Sequence, residues 1–208
     1  MKVLMINGSP HEAGCTYTAL TEVAKPLTDA GIEVEIVHIG KKPIGGCTAC
    51  GGCKTLRKCV FDDGLIASIA EKMAQADALI VGSPVYYASP NGSLIGLLDR
   101  LWMTAGAAAL RHKPAAAVVS ARRAGTTASL EVLYKYFAFA EMPIVSSQYW
   151  NMVHGSRAED VAVDVEGVQI MRRLGQNMAW MLRSLEAARA AGIEPPKAEP
   201  RVSFNYIR

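Results

Sequence analysis

The chain has 208 residues, half of them apolar and 20% charged, which suits one domain with a full hydrophobic core and is too apolar for a disordered segment. Its 22 basic and 19 acidic residues leave a net charge of +3; with no long basic stripe and no aromatics set among the cations, nucleic acid is not an expected partner. No run of 18 apolar residues occurs, so no membrane-spanning helix is expected.

The first ten residues, MKVLMINGSP, are apolar only briefly before Asn7-Gly8 and lack the apolar core and small-residue cleavage site of a signal peptide, so a cytoplasmic protein is expected. They read as a strand, Lys2 to Asn7. Leu20, Val23, Ala24 and Leu27 then share a helical face that Gly31 should stop, although Pro26, lacking an amide donor, should kink or shorten that helix. A second strand runs from Glu33 to Ile39. After a cysteine-rich loop, Asp62 to Ala76 carries Leu65, Ile66, Ile69 and Met73 at helical spacing, with Asp62 and Asp63 placed to favour its N-terminus.

Strands follow at Asp77 to Ser83, Ala115 to Ser120 and Met142 to Ser147. Between and beyond them lie a stripe of Leu94, Leu97, Leu98, Leu101 and Trp102, a helix over Ala124 to Ala140, and a long helix over Glu159 to Ala191 that stops at Gly192. The stripe from Met171 to Leu185 on that last helix is core or dimer interface. Such alternation specifies a parallel sheet covered by helices on both faces. The expected domain is 1–192, with the cysteine loop at 45–59. The proline-rich 193–208 is an extended tail, lying on its own subunit or reaching across a dimer.

In an open parallel sheet, ligands sit beyond the carboxyl ends of the strands. Three loops there carry chemistry. Asn7 to Thr18 offers the hydroxyls of Ser9, Thr16 and Thr18, amides freed at Gly8 and Gly14, and a helix N-terminus, a combination suited to a phosphate monoester; the alternative is a polar turn that caps a helix. Its pattern is neither of the glycine-rich signatures of nucleoside triphosphate or dinucleotide sites. Gly82 to Arg100 is stiffened by Pro84 and Pro90, presents Tyr86 and Tyr87, and suits a flat heteroaromatic ring, with Asn91 as cap of the next helix. Ser120 to Thr127 brings Arg122, Arg123 and Gly125 to the same edge, as a ligand contact or a solvated basic turn.

The fourth feature is GGCTACGGCKTLRKC, Gly45 to Cys59, which holds four of the five cysteines, Cys47, Cys50, Cys53 and Cys59. In a reducing compartment such a cluster points to metal ligands or redox-active thiols rather than disulfides. Zinc usually takes two Cys-x2-Cys pairs a dozen or more residues apart, so it fits less well than a cubane iron–sulfur cluster. Free, activated thiols remain the other reading, since the flanking Lys41, Lys42, Lys54, Arg57 and Lys58 would favour either. His38 reads as a structural histidine, and His112 and His154 have no partner pattern that names a base. Gln148 to Gly155, rich in aromatics, borders either the ligand pocket or a subunit contact.

Taken together, GSPHEAGCT and SPVYYASPNGSLIGLLDR resemble the phosphate and isoalloxazine loops of the flavodoxin-like NAD(P)H-dependent FMN reductase family, in order over Met1 to Leu185. The resemblance implies a flavodoxin-like three-layer α/β fold with a five-stranded parallel sheet of order 2-1-3-4-5. It implies FMN held by Ser9, His11, Cys15, Thr16, Tyr17 and Thr18 on the phosphate side and by Pro84, Val85, Tyr86, Tyr87, Ser89, Asn91 and Gly92 on the ring side. Ala121, Arg122, Arg123 and Gly125 would complete the site, the arginines facing the charge the flavin gains on reduction. His11 and Cys15 stand where arginine and asparagine are common, which weakens side-chain roles there and leaves the amides available.

The cysteine spacing is similar to that of the iron-sulfur flavoproteins of the same family, which implies a 4Fe-4S cluster on Cys47, Cys50, Cys53 and Cys59. The activity implied is hydride transfer from NAD(P)H through FMN to a small acceptor such as a quinone or flavin, with no catalytic side chain and in a homodimer. An electron carrier reduced by a ferredoxin-like acidic protein is the alternative, and a metal or thiol sensor on a flavodoxin-like shell a third.

Overall fold

Leu4, Ile6, Leu79 and Val81 point to one side of the sheet and Val3, Met5, Ala78 and Ile80 to the other, and all eight are buried. Strands apolar on both faces must be covered on both faces, and that requirement sets the layers. The computed structural model describes residues 1–62, 64–105, 109–200 and 202. Interior strand β1 (Lys2–Asn7) pairs in parallel with β2 (Glu33–His38), Lys2 opposite Glu33, and with β3 (Ala78–Tyr86), Val3 opposite Ala78. Beyond β3 lie β5 (Ala115–Ala121) and β6 (Met152–His154), also parallel, so the order is β2-β1-β3-β5-β6. That is the 2-1-3-4-5 order expected, once β4 (Ser89–Pro90), a short antiparallel partner of β3, is set aside.

Helices α1 (Cys15–Asp29) and α7 (Val165–Ala190) cover one face, burying Leu20, Val23, Met171 and Leu174. Gly31 ends α1 at φ +76°, as expected, with the Ile32 amide closing on Leu27 O. Pro26 does not shorten α1, because it sits in the last turn, where little helix follows the missing amide. Its ring and the Val23 carbonyl instead form the seat for Gly175 of α7: a Cβ there would stand 2.3 Å from Val23 O. On the other face are α3 (Leu65–Gln75), α4 (Gly92–Ala105) and α5 (Thr126–Phe139), with the expected leucine stripe buried on α4. Asp62 caps α3 by accepting from the amides of Gly64, Ile66 and Ala67; Asp63 lies outside the described residues.

Three expectations are corrected. The strand over Met142 to Ser147 is reduced to one bridge, Ile144 beside Ala115; the chain then leaves the sheet and returns as β6, so the fifth position is filled in two pieces. The helix over Glu159 to Ala191 breaks at Asp164 into α6 (Ala158–Val163) and α7, because the Asp164 side chain accepts from Gly167 N and starts a new helix. The third strand runs three residues past Ser83 and folds back through β4, so the expected second loop is a hairpin. Inside the cysteine loop, α2 (Gly52–Leu56) forms a single short turn of helix. Residues 193–200 have no regular structure and are exposed, while positions 201 and 203–208 of the expected extended tail lie outside the described residues.

Candidate functional site

At the carboxyl end of β1, buried Asn7 ties the first loop together: its Nδ2 donates to Glu12 O at 3.0 Å and its Oδ1 accepts from Ser9 N at 3.2 Å. His38 donates from Nε2 to Ser9 O at 2.8 Å, a structural use, and Ser9 Oγ accepts from His11 N, leaving the Ser9 hydroxyl proton available. Gly8 permits the turn, since a Cβ there would stand 2.6 Å from Leu94 Cδ2 and 2.8 Å from Gly82 O. Helix α1 opens behind Gly14, which supplies no side-chain cap. The first-turn amides of residues 15–17 therefore face the loop without intrahelical acceptors, beside the positive end of the helix dipole.

Two of the expected hydroxyls are committed elsewhere. Thr16, 1% exposed, shares a 2.9 Å hydrogen bond with Ser120 Oγ, and Thr18 Oγ1 donates to Gly14 O. Cys15 Sγ donates to Arg157 O at 3.1 Å, and burial pushes its thiol up from the usual value, keeping it a thiol at neutral pH. The hairpin turns at Tyr87 and Ala88, both left-handed at φ +52° and +58°, a conformation that favours glycine and asparagine. Asn91 is buried: its amide donates to Ser83 Oγ, its Nδ2 to Gly8 O at 2.7 Å, and its Oδ1 caps α4 through Ser93 N. Gly125, at φ +97°, begins α5 against this hairpin, where a Cβ would stand 2.7 Å from Ala88 Cα.

A cavity of about 640 Å³ opens between these loops. It gathers Ser9, His11, Cys15, Thr16, Pro84, Val85, Tyr86, Ala121 and Arg122 from the expected set. Tyr17, Thr18, Tyr87, Ser89, Asn91, Gly92, Arg123 and Gly125 do not line it; Tyr87 is fully exposed, and Asn91 and Gly125 shape the wall from behind. Glu12 with its carboxylate, Ala13, Gly14, Lys41, Ser120 and Gly155 to Arg157 are additions. The last three follow from the corrected fifth strand: with β6 ending at His154, they occupy its carboxyl end, where this sheet type places ligands. His154 joins the edge together, its amide donating to Asp164 and its Nε2 to Arg123 O. Size, uncapped amides, an aromatic wall at Tyr86 and three cations, Lys41, Arg122 and Arg157, fit a flavin with a terminal phosphate.

A second cavity, of about 870 Å³, is lined by Cys47, Cys50, Cys53 and Cys59 together with Lys41, Lys42 and Arg100. Its loop is seated on α4 at Gly96, where a Cβ would stand 2.6 Å from Ile44 O, and Ile44 N reaches Ser93 Oγ at 3.4 Å. Arg100 clasps the loop's far end, donating from Nε to Cys59 Sγ at 3.3 Å and from Nη2 to Phe61 O at 2.7 Å. All five cysteines are free thiols. Four thiols on one cavity wall, among cations and conformationally free glycines, suit an iron–sulfur cluster in donor type and number. They are spread around the wall rather than gathered: among the described residues, no three His, Cys, Asp or Glu side chains stand together as a ligand set.

Residues 1–157 match the family model described as NADPH-dependent FMN reductase. An iron-sulfur flavoprotein of Methanocaldococcus jannaschii is 30% identical over 194 residues, covering 89% of this chain and all of that protein. Among solved structures, RosB, bound to the intermediate 8-demethyl-8-formylriboflavin-5'-phosphate, superposes with a TM-score of 0.70 at 14% identity over 100% of this chain and 92% of its own. A flavodoxin from the domain Archaea superposes with a TM-score of 0.58 at 12% identity, over 88% and 99%. The fold is thus flavodoxin-like. No helix among the described residues is long and apolar enough to cross a membrane.

Proposed function

The chain belongs to the NADPH-dependent FMN reductase family, and from that membership we propose that it is an oxidoreductase that binds FMN in the 640 Å³ cavity and an iron–sulfur cluster on the four-cysteine loop. The observation that carries this reading is the meeting of the three strand-end loops around one cavity that adjoins the thiol-lined one. When bound, FMN supplies a two-electron acceptor for hydride from NAD(P)H, and the cluster a one-electron outlet toward an acceptor such as a quinone or free flavin.

The protein's part is binding and electrostatics. The first-turn amides of α1, the Ser9 hydroxyl and the Arg157 guanidinium would hold the phosphate. Tyr86 and the Pro84–Val85 backbone would bound the ring, and Arg122 would stabilise charge gained on reduction. Cys47, Cys50, Cys53 and Cys59 would ligate the cluster by closing inward on loop segments that already visit left-handed backbone at Ala49, Gly51 and Arg57. The hydride step from NAD(P)H to FMN would call on no side-chain acid or base.

Anaerobic purification followed by an absorption spectrum and an iron and sulfide assay, before and after NADPH, tests this. Flavin bands that bleach with NADPH, with iron and sulfide present, are the expected result; protein that takes up no FMN would sink the reading. An electron-carrier role is the second reading, favoured by the exposed Lys41, Lys42, Lys54, Arg57 and Lys58 around the thiols. It predicts slow NADPH oxidation and rapid reduction by an acidic ferredoxin-type donor that fades as salt screens the encounter.

A further inference from the structure

Among the described residues, Lys41 alone lines both cavities. The other cations divide between them: Lys42 and Arg100 face only the thiols, while Arg122 and Arg157 face only the strand-end cavity. The position of Lys41 is enforced by its neighbours. Gly40, at φ +83°, turns the chain out of β2, and four residues later the strap is pressed onto α4 at Ile44, where Gly96 leaves no space for a side chain. The Lys41 side chain is exposed, and no carboxylate among the described residues pairs with it. An exposed lysine that borders both cavities and has no carboxylate partner among the described residues can bring its ammonium to negative charge appearing in either.

We propose that Lys41 is a shared positioning cation that couples the two redox centres, stabilising the reduced form of each and contributing to FMN affinity. The inference rests on the function proposed above and adds a residue that neither the phosphate loop nor the cysteine motif contains. One ammonium serving two sites makes them interdependent: its removal lowers both reduction potentials, whereas loss of a cation confined to one cavity lowers only one.

The experiment compares wild type with Lys41→Gln, Lys41→Arg and Lys42→Gln. FMN affinity is read by flavin fluorescence on titrating apoprotein, and the potentials of flavin and cluster by anaerobic spectroelectrochemical titration of the loaded protein. Lys41→Gln is expected to weaken FMN about two- to fivefold, the range of a single exposed charge, and to move both potentials negative. Lys41→Arg should restore them, and raising the salt should shrink the differences. Lys42→Gln should move the cluster potential alone. Potentials unmoved in Lys41→Gln, movement of only one centre, or an equal effect of Lys42→Gln on the flavin would each overturn the coupling while leaving the proposed function intact. Wild-type protein without FMN or without iron would instead remove the function it rests on, and the coupling with it.

Discussion

Thr16 shows how a residue can lie in a ligand loop and still serve the protein. Its hydroxyl meets Ser120 Oγ at 2.9 Å with almost no solvent access, joining the first loop to the end of β5. Removing one partner strands the other, and an unpaired buried hydroxyl costs about 1–3 kcal/mol. Ser120→Ala is therefore expected to lower the unfolding free energy by about 1–2 kcal/mol in urea denaturation. Thr16→Val alone should do likewise, but the double variant should cost less than the sum, since no orphan remains; additive losses would show that the two hydroxyls do not depend on each other. The hydroxyls and freed amides of this loop are legible from sequence as suited to a phosphate, while the hydrogen bonds that commit some of those hydroxyls are not. Which hydroxyl stays free depends on Ser120, 104 positions away.

At the scale of elements, the hairpin of β3 and β4 and the start of α5 form one wall. Its turn holds Tyr87 and Ala88 in left-handed backbone, and Gly125 packs its α-carbon against Ala88 without room for a methyl group. Gly125→Ala meets two penalties, strain at φ +97° and a clash with backbone, so a loss of about 1–3 kcal/mol in stability is expected. FMN affinity measured by fluorescence titration should fall with it as the hairpin is pushed outward; unchanged affinity would mean that the hairpin position does not matter to the flavin. The sequence pattern shows Pro84, Tyr86 and Tyr87 as a stiff aromatic loop, but it cannot show the pairing of Val85 with Pro90. Likewise Met142 to Ser147 has strand-like residues and still leaves the sheet after Val145, because the hydrogen-bonding edge of β5 is completed by Met152 to His154.

Across the whole molecule, Glu35 on β2 bridges Lys2 of β1 and Lys72 of α3, joining the edge of the sheet to a covering helix. The hydrogen bond from Lys2, followed by that from Lys72, holds its carboxyl below the ordinary value of 4.5. A depressed folded-state pKa means that the unfolded chain binds the proton more tightly. The stabilisation is therefore complete above about 4.5 and is lost as the pH falls through the lower folded value. Glu35→Gln should thus destabilise the protein at pH 7 by up to about 1 kcal/mol, small because the group is partly exposed. In urea titrations at several pH values that difference should vanish in acid; a constant difference would point to packing rather than charge.

Sequence by itself determined the class of fold, because apolar periodicity and turn chemistry are local properties that each segment carries with it, while the strand order and the expected flavin came from the resemblance of two of its loops to a known family. It also marked the four cysteines and the cations around them. Only the tertiary structure decided where the fifth strand closes the sheet, which hydroxyls are committed internally, and that Arg157 and Lys41 reach the same cavity from opposite ends of the chain. Those outcomes depend on competition between distant segments for the same edge, the same hydrogen bond and the same space, and no single stretch of sequence contains all the competitors.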